Sequence, residues 1–304
     1  MKKLLLIVFL VNSLCGAELI FKSAFEDGVN LLSPDRKGSA NCWWQELEGS
    51  DSSGFSWPIE LQGEEGQFQM IVDSDDINRY VKNEIIETNG IDNKKTRVLH
   101  QTVKEKEHTW TQDPYVVHID KEQKKLYLRY SLKFPKNLKS KLGKDGWLTF
   151  FEFKTKSDYR VAIYVYEGKD KKLYWYAHGD NVVLDDRPYK EFWSKENKDI
   201  EVPTDKWFDV EIFWNRSKGD NGRVWMAIDG EEVIDYQGST KLDDAMHQIM
   251  LFTNYSNAPI EQWVDNVEVW SDYPCGEGKS CHESSTNSIS GFMDNAESMN
   301  NFFW

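Results

Sequence analysis

Between Trp147 and His178 apolar and polar residues alternate with a period of two, which is the spacing of side chains on the two faces of a β-strand. The pattern predicts three consecutive strands, Trp147–Lys156, Tyr159–Tyr166 and Lys172–His178. Short polar turns separate them, Ser157-Asp158 and Glu167-Gly168-Lys169-Asp170. One face carries Phe151 and Phe153, then Tyr159, Val161, Ile163 and Val165, then Leu173, Trp175 and Ala177. The other carries Glu152 and Lys154, Arg160, Tyr164 and Tyr166, and Tyr174, Tyr176 and His178. A solvated sheet face is usually built from Thr, Ser, Lys and Glu. One rich in Tyr, Arg and His suits a flat, polar ligand such as a sugar chain, although cross-strand aromatic pairs on an ordinary exposed face give the same composition.

The pattern continues on both sides. Strands are expected at Leu19–Phe25, Gln67–Val72, Thr96–Val103, Tyr115–Ile119 and Lys125–Phe134. Beyond the meander they are expected at Trp207–Trp214, Arg223–Asp229, Glu232–Tyr236, Gln248–Tyr255 and Trp263–Trp270, with a hairpin at Asp229-Gly230. A short helix fits Asp76–Lys82. Leu31–Pro58, Lys104–Gln112 and the polar excursion Gly179–Val202 have no period. No long helical periodicity and no repeat appears, so the chain reads as an all-β sandwich or barrel.

The first residues change the picture. Met1-Lys2-Lys3, the apolar run Leu4–Val11 and the small residues Cys15-Gly16-Ala17 form a secretory signal peptide over residues 1–17, too short to span a membrane. The expected product is secreted or periplasmic and monomeric, with no membrane insertion. It has one β domain over residues 18–274 and a weakly ordered Ser/Asn-rich tail over 275–304. The formal charge of −14, which becomes −16 without Lys2 and Lys3, argues against nucleic acid as a partner. It leaves room for an acidic polysaccharide, because a local cationic cleft dominates within a Debye length of ~8–10 Å. Export also permits a disulfide. Cys275–Cys281 is one pairing, and Cys42 with either of them is another.

Several phrases in order resemble the concanavalin A-like jelly-roll proteins, especially secreted polysaccharide lyases related to heparin lyase I and glucuronan lyase. They are Phe25-Glu26-Asp27-Gly28, Gly49-Ser50-Asp51 with Phe55-Ser56-Trp57-Pro58, Asp205-Lys206-Trp207-Phe208, Gly222-Arg223-Val224-Trp225 through Asp229-Gly230, and Gln262-Trp263-Val264-Asp265-Asn266-Val267. The resemblance implies a β-jelly-roll sandwich of two antiparallel sheets. It also implies a structural Ca²⁺ held by Glu26 and Asp265, whose hard oxygens suit that ion, and no organic cofactor.

Eliminative cleavage of a uronate polymer needs a cation on the carboxylate, a base for the neighbouring C–H and an acid for the leaving oxygen. On the tyrosine-rich face Arg160 or Lys154 supplies the first, His178 the second, and Tyr176 or Tyr164 the third. Glu152, Tyr166, Tyr174, Trp193 and Trp225 are candidate substrate contacts. Arg97 with His100-Gln101, and His118, are candidates elsewhere, because the Arg-Ser-Glu-Leu and Gln-Ile-His strands of alginate lyases are absent. A glycoside hydrolase is disfavoured, since Glu152 is the only acid on the central face. The alternative from another class is a non-catalytic, lectin-like protein that stacks sugars on Tyr174, Tyr176, Trp193 and Trp225.

Overall fold

The inward-pointing residues of the alternating strands dictate two layers that bury one face against the other. A computed structural model describes residues 16–36, 42–61, 64–65, 67–71, 74–105, 113, 115–119, 124–155, 159–181, 188–240, 247–251, 253–256 and 258–281. Among these, two large antiparallel sheets form a β-jelly-roll sandwich. The first runs in the order Val81–Asn89, Lys95–Val103, Ile260–Trp270, Lys125–Lys133, Trp207–Asn215, Arg223–Ile228, Glu231–Gln237, with Leu19–Ser23 also paired to Ile260–Trp270. The second begins at an edge with Glu191–Asn197. It continues through Leu173–Asp180, Arg160–Glu167, Trp147–Thr155, His247–Leu251, Tyr115–Ile119 and Gln67–Ile71, and ends at Cys42–Gln45 and Asp35–Arg36.

The core lies between the sheets. Phe151, Phe153, Val161, Ile163, Val165, Trp175 and Ala177 of the second meet Leu128, Leu132, Phe208, Ile212 and Trp214 of the first, all buried. Phe153 stacks on Trp214 with ring centroids 4.4 Å apart. At one end the interior becomes polar. Asp113, Gln101, Gln262 and Asn254 are fully buried, and Asn83 nearly so. Asn83 Nδ2 donates to Asp113 Oδ1 at 3.0 Å, and Gln101 Nε2 donates to the Asp113 carbonyl at 2.8 Å. Burial pushes the Asp113 carboxyl up to about 7, against the pull of the Asn83 and Gln101 hydrogen bonds.

Several elements differ from the sequence-based expectation. The helix is a single turn, Ile77–Tyr80, and Val81–Asn89 is a strand that pairs along its whole length with Lys95–Val103. The polar excursion contains the edge strand Glu191–Asn197. A second short helix, Leu138–Leu142, buries Leu138 and Leu142. Cys275 and Cys281 form a disulfide. Residues 275–281 are packed rather than loose: Cys281 and Tyr273 cover Tyr127, Phe213 and Trp225 on the outer face of the first sheet. The buried Glu211 carboxylate anchors that segment, accepting from Tyr127 Oη, Ser280 Oγ and, at 2.8 Å, the Cys281 amide. The signal-peptide segment through Cys15, the run 106–112 and the tail 282–304 lie outside the described residues. No helix among the described residues is long and apolar enough to cross a membrane.

Candidate functional site

Strand register sets the site. Tyr164 lies opposite Tyr176, Tyr166 opposite Tyr174, Ala162 opposite His178, and Arg160 opposite Asp180. On the next strand Glu152 faces Ala162, and Lys154 faces Arg160. Glu152, Lys154, Arg160, Tyr164, Tyr166, Tyr174, Tyr176 and His178 therefore share one face of one sheet. The rings touch. Tyr164 and Tyr176 centroids are 4.9 Å apart, and His178 lies edge-on to both, at 5.6 and 5.8 Å.

Trp147 joins them, although simple alternation puts it on the core side with Phe151. A β-bulge between Thr149 and Phe151 buries both Phe150 and Phe151, which turns Thr149 and Trp147 outward. Trp147 packs edge-on against Tyr255 at 4.8 Å. With Tyr164, Tyr166, Tyr176 and Lys169 it lines an open cleft of about 400 Å³. The two adjacent phenylalanines were the one sequence sign that the period slips there.

Asp180 is the residue that sequence reasoning missed. It is fully buried beside His178, whose Nε2 lies 2.9 Å from Asp180 Oδ2. Arg160 donates to the same carboxylate with Nε at 3.2 Å and Nη2 at 2.7 Å. Burial alone raises the Asp180 pKa, but hydrogen bonds from His178 and Arg160 outweigh it and hold the carboxyl below the usual range. An ionised Asp180 can only accept, so His178 Nε2 is the donor to it, which leaves Nδ1 as the lone-pair nitrogen of the neutral ring. Nδ1 is buried and has no hydrogen-bond partner among the described residues. Arg160 Nη1 also lies 3.6 Å from Glu152 Oε1. Burial lowers the Arg160 pKa, yet Glu152 and Asp180 more than reverse that and keep it cationic.

Arg160, one of the two cations expected to neutralise a substrate, is thus committed to two protein carboxylates. Lys154 has no ion pair among the described residues and is half-buried on the same face. Burial, followed by the nearby Tyr176 and Glu191, raises the Tyr164 pKa well above that of a free phenol, so Tyr164 holds its proton at neutral pH. Tyr189 is exposed at the rim, its pKa pushed up to about 12 by burial and by Asp180 and Glu191.

Two expected platforms are elsewhere. Trp193 is 8% exposed and stacks on Tyr236 at 4.0 Å on the core side, its Nε1 donating to Tyr159 Oη at 2.6 Å. Trp225 is buried under Tyr273, with Nε1 donating to Glu232 at 2.9 Å. Neither indole face is available to a sugar. His100 stacks on Trp263 at 4.8 Å and pairs with Glu261, while Arg97 pairs with Asp27. Both are on the other sheet, away from the tyrosines. The His118 side chain lies outside the described residues.

Glu26 and Asp265 do come together. Thr96 Oγ1 donates to Glu26 and lies 3.5 Å from Asp265 Oδ2. Burial, followed by repulsion from Glu26 and Asp51, pushes the Asp265 carboxyl up to about 7. Carboxylate and hydroxyl oxygens are the donor types a hard cation takes. Among the described residues no group of three or more His, Cys, Asp or Glu side chains converges in a metal-binding arrangement.

No family model matches the chain, and no curated relative matches it. Solved structures are similar in shape at low identity. An endo-β-1,4-glucuronan lyase from the fungus Trichoderma reesei is 12% identical with a TM-score of 0.46, covering 62% of this chain and 89% of that one. An alginate lyase is 14% identical with a TM-score of 0.39, covering 57% and 80%. The binding domain of botulinum neurotoxin DC, solved with rat synaptotagmin II, is 12% identical with a TM-score of 0.39. That match covers 74% of this chain and 45% of the toxin chain.

Proposed function

We propose that the protein is a secreted lyase that cleaves a uronate-containing polysaccharide by β-elimination in the tyrosine-lined cleft. The observation that carries this reading is the Asp180–His178 pair, set among Tyr164 and Tyr176 on one face and flanked by the uncommitted Lys154. Lys154 neutralises the uronate carboxylate. His178 takes the C5 proton at Nδ1, which glycan docking has to uncover, and the released electron pair forms the C4–C5 double bond as the C4–O bond breaks. Tyr164 or Tyr176 gives its proton to the leaving oxygen. Arg160 acts through Asp180, holding the carboxylate that fixes the His178 tautomer. The proposed Ca²⁺ at Glu26 and Asp265 is structural.

The test is incubation with a panel of uronate polymers while following ultraviolet absorbance of the unsaturated product. The rise is expected to fall ~100-fold or more in Lys154→Ala, because carboxylate neutralisation is an electrostatic contribution of that size. No product from any polymer with the unaltered protein overturns the reading. Added Ca²⁺ is expected to raise the melting temperature of the protein and leave that of Asp265→Asn unchanged.

A second reading rests on two observations. His178 Nδ1 is closed to water and Arg160 is charge-compensated, as in a face that binds glycan without turning it over. Retention of uronate polymers without product formation selects that reading.

A further inference from the structure

The chain is acidic overall, yet its lysines gather at one end of the tyrosine cleft. The cleft lined by Trp147, Tyr164, Tyr166 and Tyr176 shares Asp145, Glu167, Gly168 and Lys169 with a larger neighbour of about 780 Å³. That neighbour is lined by Lys136, Lys139, Lys144, Lys169 and Lys171. Through Lys136, Lys139 and Lys171 it runs on into a third depression of about 510 Å³, which adds Lys172 and Lys198. The two basic depressions present seven lysines against the four acids Asp145, Glu167, Asp199 and Glu201, in a chain of net charge −14. None of Lys136, Lys139, Lys144, Lys169 and Lys171 forms an ion pair among the described residues.

The backbone that carries them is built rather than loose. Lys139 lies in, and Lys136 and Lys144 flank, a helical turn pinned by the buried Leu138 and Leu142. Lys169 and Lys171 sit in a hairpin turn closed by Gly168 N to Lys172 O at 2.8 Å and Lys171 N to Gly168 O at 2.9 Å. Lys171 holds a left-handed φ of 63°, a conformation uncommon for a side-chain-bearing residue. The two units are joined where Glu167 N donates to Gly146 O at 2.9 Å. Unpaired cations held this way next to an aromatic floor are complementary to a chain that is flat and repeatedly anionic.

We infer that the lysine depressions are an extension of the glycan site that grips the anionic groups of a polysaccharide several sugars away from the tyrosines. The inference rests on the tyrosine cleft being a glycan site, and it holds whether or not that cleft is catalytic. The occupant is an acidic polysaccharide. A neutral glucan lacks the charge, and a short uronate oligomer lacks the reach.

The test is chromatography of the full-length protein on immobilised heparin, a dense polyanionic polysaccharide. At low salt the protein is expected to be retained despite its net charge, and to elute as salt screens the lysines. The triple substitution Lys139→Ala, Lys169→Ala, Lys171→Ala removes exposed groups only. It is expected to weaken retention about tenfold, as three partly screened ion pairs would, with an unchanged melting temperature. Flow-through of the unaltered protein, or full retention of the triple variant, overturns the inference. So does equal retention on immobilised duplex DNA at the same salt, since charge alone would then account for the binding. Failure to cleave any uronate polymer bears on the lyase reading and leaves this result intact.

Discussion

At the scale of single residues, alternation revealed the tyrosine face and concealed its centre. Tyr164, Tyr166, Tyr174, Tyr176 and His178 follow directly from period two. Asp180 does not, because Gly179-Asp180 after a strand reads as a turn. The glycine has another reason to be there. A Cβ at Gly179 would lie 2.2 Å from Trp193 Nε1 and 2.4 Å from Tyr159 Oη, so the strand runs on to Asp180 while those two side chains occupy the space. Asp180 also makes a prediction with a definite sign. Its folded-state pKa is depressed, so its contribution to stability is present above the unfolded value near 4 and is lost as pH falls through the folded value. Asp180→Asn is expected to cost about 3 kcal/mol at pH 7, the order for opening one side of a buried pair. The difference between the two proteins should shrink towards pH 2 in thermal melts. Asp113 has the opposite sign. Its raised pKa makes the folded state lose stability from pH ~4 up to about 7. Asp113→Asn is expected to flatten that part of the melting-temperature profile.

At the scale of elements, the strands were legible and the slips between them were not. The Trp147–Thr155 strand contains the bulge that turns Trp147 onto the tyrosine face, and only the Phe150-Phe151 pair hints at it. The Glu191–Asn197 strand is an edge strand with Glu191, Ser194, Lys195 and Glu196 exposed, so its hydrophobic period is too weak to read. Its one large buried residue, Trp193, therefore looked like a surface platform when it is the plug that Gly179 accommodates. Gly179→Ala is expected to displace Trp193 and destabilise the protein by ~1–3 kcal/mol, the usual range for overpacking. The summed emission of the 13 tryptophans should shift to longer wavelength as the Trp193 indole is solvated. Unchanged melting and emission would mean that the strand can shift to admit the methyl group.

At the scale of the whole molecule, the sandwich followed from the strand pattern, while the covering of its outer face did not. Tyr127, Phe213 and Trp225 alternate outward from the core and would be an exposed aromatic patch if the chain ended at Trp270. The segment ending at Cys281 covers them, through the Cys275–Cys281 disulfide, one of the pairings the sequence allows, and through the Glu211 anchor, which no local pattern in the Gly- and Ser-rich sequence announces. Glu211→Gln replaces an all-acceptor group facing three donors. It is expected to cost ~1–3 kcal/mol and to speed proteolysis after residue 270 with little effect at the tyrosine cleft. Charge is likewise a whole-molecule property that composition misreports, because the −14 total hides the lysine-lined end.

The central claim is that the tyrosine face performs chemistry through His178 and does not merely hold a glycan. The most direct measurement compares binding and product formation for the unaltered protein and His178→Ala on the same uronate polymer. We predict affinities within about twofold of each other and a loss of unsaturated product of ~100-fold or more, the usual contribution of a positioned base. Product formation by His178→Ala at the original rate, with binding intact, contradicts the account.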